Sequence, residues 1–342
     1  MSARTPAAGR PLLVAGLLAL ATAGAAIGSF LVGHYPLSAG QVLRVLWSQA
    51  FGGPADWPAA TTQVVLHVRL PRIAAALLVG AALASAGAAY QALFRNPLVS
   101  PALLGVSAGA GFGASLALLL QWPAAWVQAC AFGFGILAVG IATGLARRLG
   151  GDSPIVLVLA GMVVAAVFQA LLSGVKYVAD PVDALPAITF WLLGSMARVT
   201  TQDVVVALLP IALGLLVLHL LRWRIDLASI SDDEIHTLGV RVSRLRAAVI
   251  VAATLLTAAA VSISGIVGWV GLLVPHMARM LVGPAFAVLL PASALLGGVF
   301  LLLVDDVCRG ATASEVPLGI LTALIGAPVF LVLLARTRHR WS

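Results

Sequence analysis

Eight stretches of this 342-residue chain contain no charged side chain and are built mainly from apolar residues: 11–43, 73–94, 96–146, 153–175, 204–221, 247–278, 280–304 and 316–335. A helix needs about 20 apolar residues to cross the hydrocarbon core of a bilayer. Stretch 96–146 is long enough for two crossings, with a break near Gln121-Trp122-Pro123. Stretch 247–278 holds one crossing and much of a second, broken at Ser264-Gly265. The remaining stretches supply one each, so ten spans are expected. Segment 184–197 is too short to cross and reads as a partly buried helix at one surface. Charged residues make up 9% of the chain, against about 25% in soluble domains. The expected fold class is therefore all-α, a polytopic membrane protein forming a single transmembrane domain over residues 1–342.

The first apolar stretch could be read as a cleavable signal, because Arg4 and Arg10 precede it and Ala21-Thr22-Ala23-Gly24 resembles a small-residue cleavage site. It runs well past a signal core, and many spans follow, so it is read as the first transmembrane helix. With ten spans both termini share a side. Arg4, Arg10, Arg95, Arg147, Arg148, Arg279, Arg336, Arg338 and Arg340 fall on that side, as does the cluster at 222–246. Only Arg44, Arg69, Arg72, Lys176, Arg198 and Arg309 fall on the other. Basic residues concentrate in cytoplasmic connections, which places both termini in the cytoplasm and gives a multi-pass protein of a bacterial inner membrane. The net charge of +8 is then a topology signal, and nucleic acid is not an expected partner. The lipid bilayer is.

Small residues are dense inside the spans, as in Gly80-Ala81-Ala82, Ala84-Ser85-Ala86-Gly87 and Gly297-Gly298. Lipid provides no hydrophobic drive between helices, so close approach through small side chains is a main source of association. Breaks at Asn96-Pro97, Ser100-Pro101, Val274-Pro275 and Pro317 require the freed backbone to be buried in protein or to line a wet cavity. A compact, irregular bundle of the kind found in transporters and channels follows.

Several chemistries lack their residues. No GxxxxGK[ST] phosphate loop occurs, and the single lysine, Lys176, is not in such a context. No histidine pair has metal-ligand spacing, and no GxSxG, HExxH or paired carboxylates point to an enzyme. No catalytic residue, metal site or cofactor is expected. Acidic residues are absent from mid-span except for Asp305-Asp306 near an outer end, whereas self-energised carriers place ionisable groups at mid-membrane. Cys130 and Cys308 are isolated and read as small buried hydrophobes. His276, a lone histidine, reads as structural.

What stands out is a polar knot. Nine of the 32 charged residues lie between Arg222 and Arg246: Arg222, Arg224, Asp226, Asp232, Asp233, Glu234, Arg241, Arg244 and Arg246.

Three blocks then point to one family. The first is Arg69-Leu70-Pro71-Arg72, followed by LLVGAALASAG, Gln91-Ala92-Leu93-Phe94-Arg95-Asn96-Pro97-Leu98 and Leu104-Gly105-Val106-Ser107. The second runs from Ser264-Gly265 through Gly268-Trp269-Val270-Gly271 to Pro275-His276-Met277-Ala278-Arg279. The third joins Asp305-Asp306-Val307-Cys308-Arg309 to Glu315-Val316-Pro317-Leu318-Gly319 and Gly326-Ala327-Pro328-Val329-Phe330. Together they closely resemble the permease subunits of bacterial ABC importers for ferric siderophores, haem and cobalamin, over nearly the whole chain.

The resemblance implies a homodimer with the substrate path at its two-fold axis, two cytoplasmic ATPase subunits and a periplasmic substrate-binding protein. ATP hydrolysis would then sit on a separate chain, with the permease itself not an enzyme. The resemblance also implies that 222–246 is the coupling segment, with short helices meeting the ATPase at Ser231, Asp232, Leu238 and Gly239. The family pattern has glycine before the acidic residue where this chain has Ser231. Arg69, Arg72 and Arg309 match arginines that meet carboxylates of the binding protein, a role suited to the guanidinium fork. For Arg69 and Arg72 the residues alone also allow interfacial snorkelling. A gate is implied at the cytoplasmic start of span five, at Asp152, Ser153 and Pro154. Gly283-Pro284-Ala285-Phe286 departs from a charged turn common in relatives. The expected cargo is an iron compound, haem or a ferric siderophore, with cobalamin as the alternative and a secondary carrier as the reading from another class.

Overall fold

The computed structural model describes residues 9–53, 56–150, 153–227, 242–311 and 315–337, and among these no strand occurs. The helices are α1 (Gly9–Ser29), α2 (Ala39–Phe51), α3 (Ala59–Gln63), α4 (Leu70–Leu93), α5 (Val106–Leu119), α6 (Ala124–Gly150), α7 (Pro154–Val178), α8 (Ala184–Leu193), α9 (Thr201–Leu227), α10 (Val242–Ser264), α11 (Val270–Val282), α12 (Phe286–Gly310) and α13 (Leu318–Thr337). Six segments are long and apolar enough to cross a membrane: 59–93, 124–150, 154–178, 201–227, 242–264 and 286–310. Six of the ten expected spans coincide with these segments, and the other four fall on shorter apolar helices, α1, α5, α11 and α13, which do not meet that length. Helix α8 is the short surface helix expected at 184–197.

Boundaries follow local chemistry. Ser38 and Gln41 form a reciprocal capping box at the start of α2, with Ser38 N donating to Gln41 Oε1 at 2.9 Å. Such a box satisfies two of the amide donors that a helix start leaves unpaired. Thr200 and Asp203 do the same for α9, where Asp203 Oδ2 accepts from Thr200 N at 2.8 Å. The break expected near Gln121 is a turn with Gln121 at φ +54°, and the one at Ser264-Gly265 has Gly265 at φ +67°.

Two boundaries differ from expectation. The first apolar stretch is not one element: α1 ends at Ser29, Gly33 turns the chain at φ +130°, and α2 begins at Ala39. The second span starts earlier than residue 73. Helix α3 runs through a π-helical turn, Val64–Arg69, directly into α4. Arg69 and Arg72 therefore lie inside a continuous helix and not ahead of one.

Helix α4 is the axis of the bundle. It is buried along nearly its whole length, packed against α12, α10 and α11. Contact with α12 is backbone on backbone: a Cβ added at Gly80 would lie 2.1 Å from the Gly297 carbonyl oxygen, and one at Gly297 would lie 2.3 Å from that of Gly80. Against α11, a Cβ at Gly87 would lie 1.8 Å from the Gly271 oxygen. Such distances admit only glycine. Buried residues make up 78% of the most apolar window in 59–93 and in α10, but 28% in α7 and 22% in α9. The small-residue helices thus form the centre. The periphery is made by helices rich in large apolar side chains, which leave Leu159, Val163, Leu209 and Leu220 exposed.

Candidate functional site

At the end of the bundle expected to face outward, three arginines and three carboxylates gather from four parts of the chain. Arg72, on the first turn of α4, grips Asp305 of α12 with two nitrogens, Nε–Oδ2 at 2.8 Å and Nη2–Oδ1 at 2.9 Å. Its remaining nitrogen reaches Glu315, before α13, at 2.7 Å. Arg309, one turn beyond Asp305 on α12, donates to the Ser29 carbonyl at 2.7 Å and contacts Asp306. Ser29 Oγ in turn donates to Asp306 Oδ1 at 2.6 Å. Arg69 donates to the carbonyls of Phe30 and Tyr35 in the connection after α1. Gly33 lies flat against this guanidinium, since a Cβ there would come within 3.2 Å of Nη2.

The cluster is an internal fastening. Residue exposures are 3% for Arg69, 5% for Arg72, 4% for Arg309 and zero for Asp305. An open positive rim is therefore not what the three arginines form here. They tie the end of α1, the start of α4 and the end of α12 together, with bidentate geometry that satisfies both charges of the Arg72–Asp305 pair. Only Glu315 and Asp306 show appreciable side-chain surface, 32% and 13%.

Beside this fastening, three chain reversals meet backbone to backbone. Ser195 N donates to the Ser264 carbonyl and Leu318 N to the Gly194 carbonyl, both at 2.9 Å. Gly194 takes φ +75°, and a Cβ on Gly265 would lie 2.3 Å from the Trp191 oxygen. Trp269 adopts φ +68° at the start of α11, with its ring edge-to-face with Phe330 of α13 at 6.1 Å. Backbone strain of this kind in a residue with a Cβ persists only where surrounding packing holds it. Next to this junction a cleft of about 860 Å³ opens between α8, the start of α9 and the end of α10. Trp122, Trp191, exposed Arg198 and Asp203 line it, and Gln128 Nε2 donates to Asp203 at 2.8 Å.

The bundle of backbone-tight glycine crossings, with chain breaks at Gln121 and Gly265, is matched along nearly its whole length by one family. The FecCD transport family model matches residues 17–336. The chain belongs to the FecCD transport family. It is 40% identical over 325 residues, 94% of each chain, to the molybdate import system permease protein MolB of Haemophilus influenzae. It is 34% identical over 340 residues to the hemin transport system permease protein HmuU of Yersinia pestis, covering 97% of this chain and 98% of that one. A solved structure described as a metal-chelate type ABC transporter in an inward-facing conformation superposes with a TM-score of 0.86 at 38% identity, covering 95% of this chain and 99% of that one. The relatives of this FecCD chain are transport permease subunits, and hydrolysis of ATP in this family resides on a separate subunit.

Other expected sites of this FecCD permease fall unevenly. Ser231, Asp232, Leu238 and Gly239 lie outside the described residues, as does Asp152. Ser153 precedes α7 and Pro154 occupies its first turn. Asp226 has a role that charge counting missed. Its carboxylate accepts from the Phe286 amide at 2.5 Å and the Ala287 amide at 3.3 Å, capping α12 and pinning the end of α9 to it. A carboxylate at a helix N-terminus meets both free amides and the positive end of the dipole. One member of the polar knot therefore fastens the turn at Gly283-Pro284-Ala285. The spacing Thr200-x-x-Asp203 is the local signal that marks the start of α9. His276 sits on α11 with Nε2 buried and unpaired.

Proposed function

We propose that the chain is the membrane-spanning subunit of an ATP-driven importer, working as a homodimer of about ten spans per copy with cytoplasmic termini. Two ATP-binding cassette ATPases dock at 222–246, and a periplasmic binding protein delivers cargo to the outer end. The observation that carries the dimeric path is the outer face of α7. Gln169 lies exposed near the middle of α7, within its uncharged stretch 154–175, and Ser173 is exposed one turn further on. A side-chain amide facing lipid at that depth would be left without partners. Facing a second copy across a wet path, it is hydrated.

The cargo in this reading is an iron compound, haem or a ferric siderophore, as the name of the hemin permease HmuU suggests. Molybdate is the second reading, favoured by the 40% identity to MolB, and a relative named for cobalamin import keeps that corrinoid as a third candidate. ATP-dependent uptake by proteoliposomes holding the full assembly decides among them. Accumulation of radiolabelled iron carried as haem or siderophore supports the first reading. Accumulation of molybdate or cobalamin alone replaces it. The outer arginines enter docking in this reading through the carboxylate-bearing surface they hold in place.

A further inference from the structure

At the opposite end of the bundle from the arginine fastening, a groove of about 210 Å³ runs between α6 and α10, with the ends of α4 and the start of α7 as its floor. Its walls are apolar. The polar atoms deepest in it are already engaged, since Thr143 Oγ1 donates to the Val139 carbonyl and Thr254 Oγ1 meets the Tyr90 hydroxyl. Its flank is open to the surroundings, with Ile136 39% and Val251 67% exposed. At its mouth stand Arg147, exposed on the last turn of α6, and Arg246 on the first turns of α10. No acidic side chain lines it among the described residues.

The dimensions match one leaflet. From Ile136 to Arg147 along α6 is about 16 Å, and from Arg246 to Leu255 along α10 about 14 Å, at roughly 1.5 Å per residue. Half of a hydrocarbon core is about 15 Å. We propose that this groove is a binding site for an anionic phospholipid of the leaflet on the Arg147 side, with one acyl chain along Gly140 and Val251 and the phosphate at Arg147. Charge selects the headgroup: an exposed basic side chain at the mouth of an apolar gap between helices favours anionic over zwitterionic lipid. The floor includes Ser153 and Pro154, so the lipid supports the start of α7 from behind. In the proposed orientation this is the inner leaflet, and the site itself does not depend on which cargo is carried.

Gly140 offers a clean test, because a Cβ placed there meets no atom within 4 Å. Gly140→Leu projects an apolar side chain from this open position on the groove wall. Full-length protein is delipidated, titrated with phosphatidylglycerol or phosphatidylcholine, and read by native mass spectrometry. Wild type is expected to retain one phosphatidylglycerol per chain at concentrations where phosphatidylcholine is lost. Gly140→Leu and, separately, the surface change Arg147→Glu should each weaken that retention about tenfold or more. Arg147→Glu keeps the test valid if Gly140→Leu lowers the melting temperature. Equal retention in wild type and both variants overturns the proposal, as does equal retention of the two lipids. Absence of any retained lipid in wild type also overturns it.

Discussion

Removing the guanidinium of Arg72 would leave Asp305, which has no exposed surface, facing Arg309 Nε at 3.8 Å as its nearest cation. Breaking one half of a buried ion pair costs about 3–5 kcal/mol, because the other charge stays buried without compensation. Arg72→Ala should therefore lower the melting temperature of the detergent-purified permease markedly, whereas Arg44→Ala, on an exposed arginine bonded only to its own helix, should change stability by about 0.5 kcal/mol or less. Docking of the binding protein separates the two roles of the cluster. If the arginines act by holding the outer surface in place, binding by Arg72→Ala falls in proportion to the folded fraction, as surface-plasmon titration on nanodiscs can show. A fully folded variant that fails to bind would mean direct contact instead. Sequence showed that these arginines run against the charge bias, but not that they are buried. Arg72 and Asp305 are separated by 233 positions, and nothing local to either announces the other.

Helix pairing was legible in kind and illegible in register. The density of glycine and alanine in 73–94 and at Gly297-Gly298 announced close crossings, and the crossings of α4 with α12 and α11 use those residues. Which glycines touch was not legible, because one position of rotation along α4 moves the contact elsewhere. The structure makes the distinction measurable. Gly80→Ala puts a methyl 2.1 Å from the Gly297 oxygen, while Gly133→Ala meets nothing within 4 Å. The first should destabilise by about 1–3 kcal/mol or more through forced separation of the helices. The second should be close to neutral, and thermal unfolding of the pair in one detergent checks the contrast. Breaks at Gln121 and Ser264-Gly265 were legible because turn chemistry is local. The π-turn at Val64–Arg69 was not, since no residue pattern there marks the extra backbone step.

For the whole molecule, the proposed coupling role of the polar knot and the absence of a phosphate loop from the sequence are tested together. A permease without a phosphate loop should hydrolyse no ATP when rigorously pure, and steady phosphate release independent of partner subunits would contradict the assignment. Leu238→Asp places a charge in the expected ATPase contact, where an unpaired charge in a partly apolar groove is costly. Transport is expected to collapse while the permease itself folds normally, measured as uptake per folded permease chain. Family membership, helix content and membrane character could be taken from the chain directly. Cargo could not: relatives named for molybdate and for hemin share the same framework, and a path that releases its substrate has few side chains dedicated to holding it.

The outer fastening also sets an order on biogenesis. Arg72 emerges from the ribosome 233 residues before Asp305, and Ser29 emerges 280 before Arg309. At about 5–20 residues per second, Arg72 waits on the order of 10–50 seconds for its carboxylate. During that interval Arg69 can already bond the Phe30 and Tyr35 carbonyls, but Arg72 has neither of its carboxylates. The last quarter of the chain closes the first, so a product truncated before α12 lacks the partners of its own opening helices and is a natural substrate for membrane quality control.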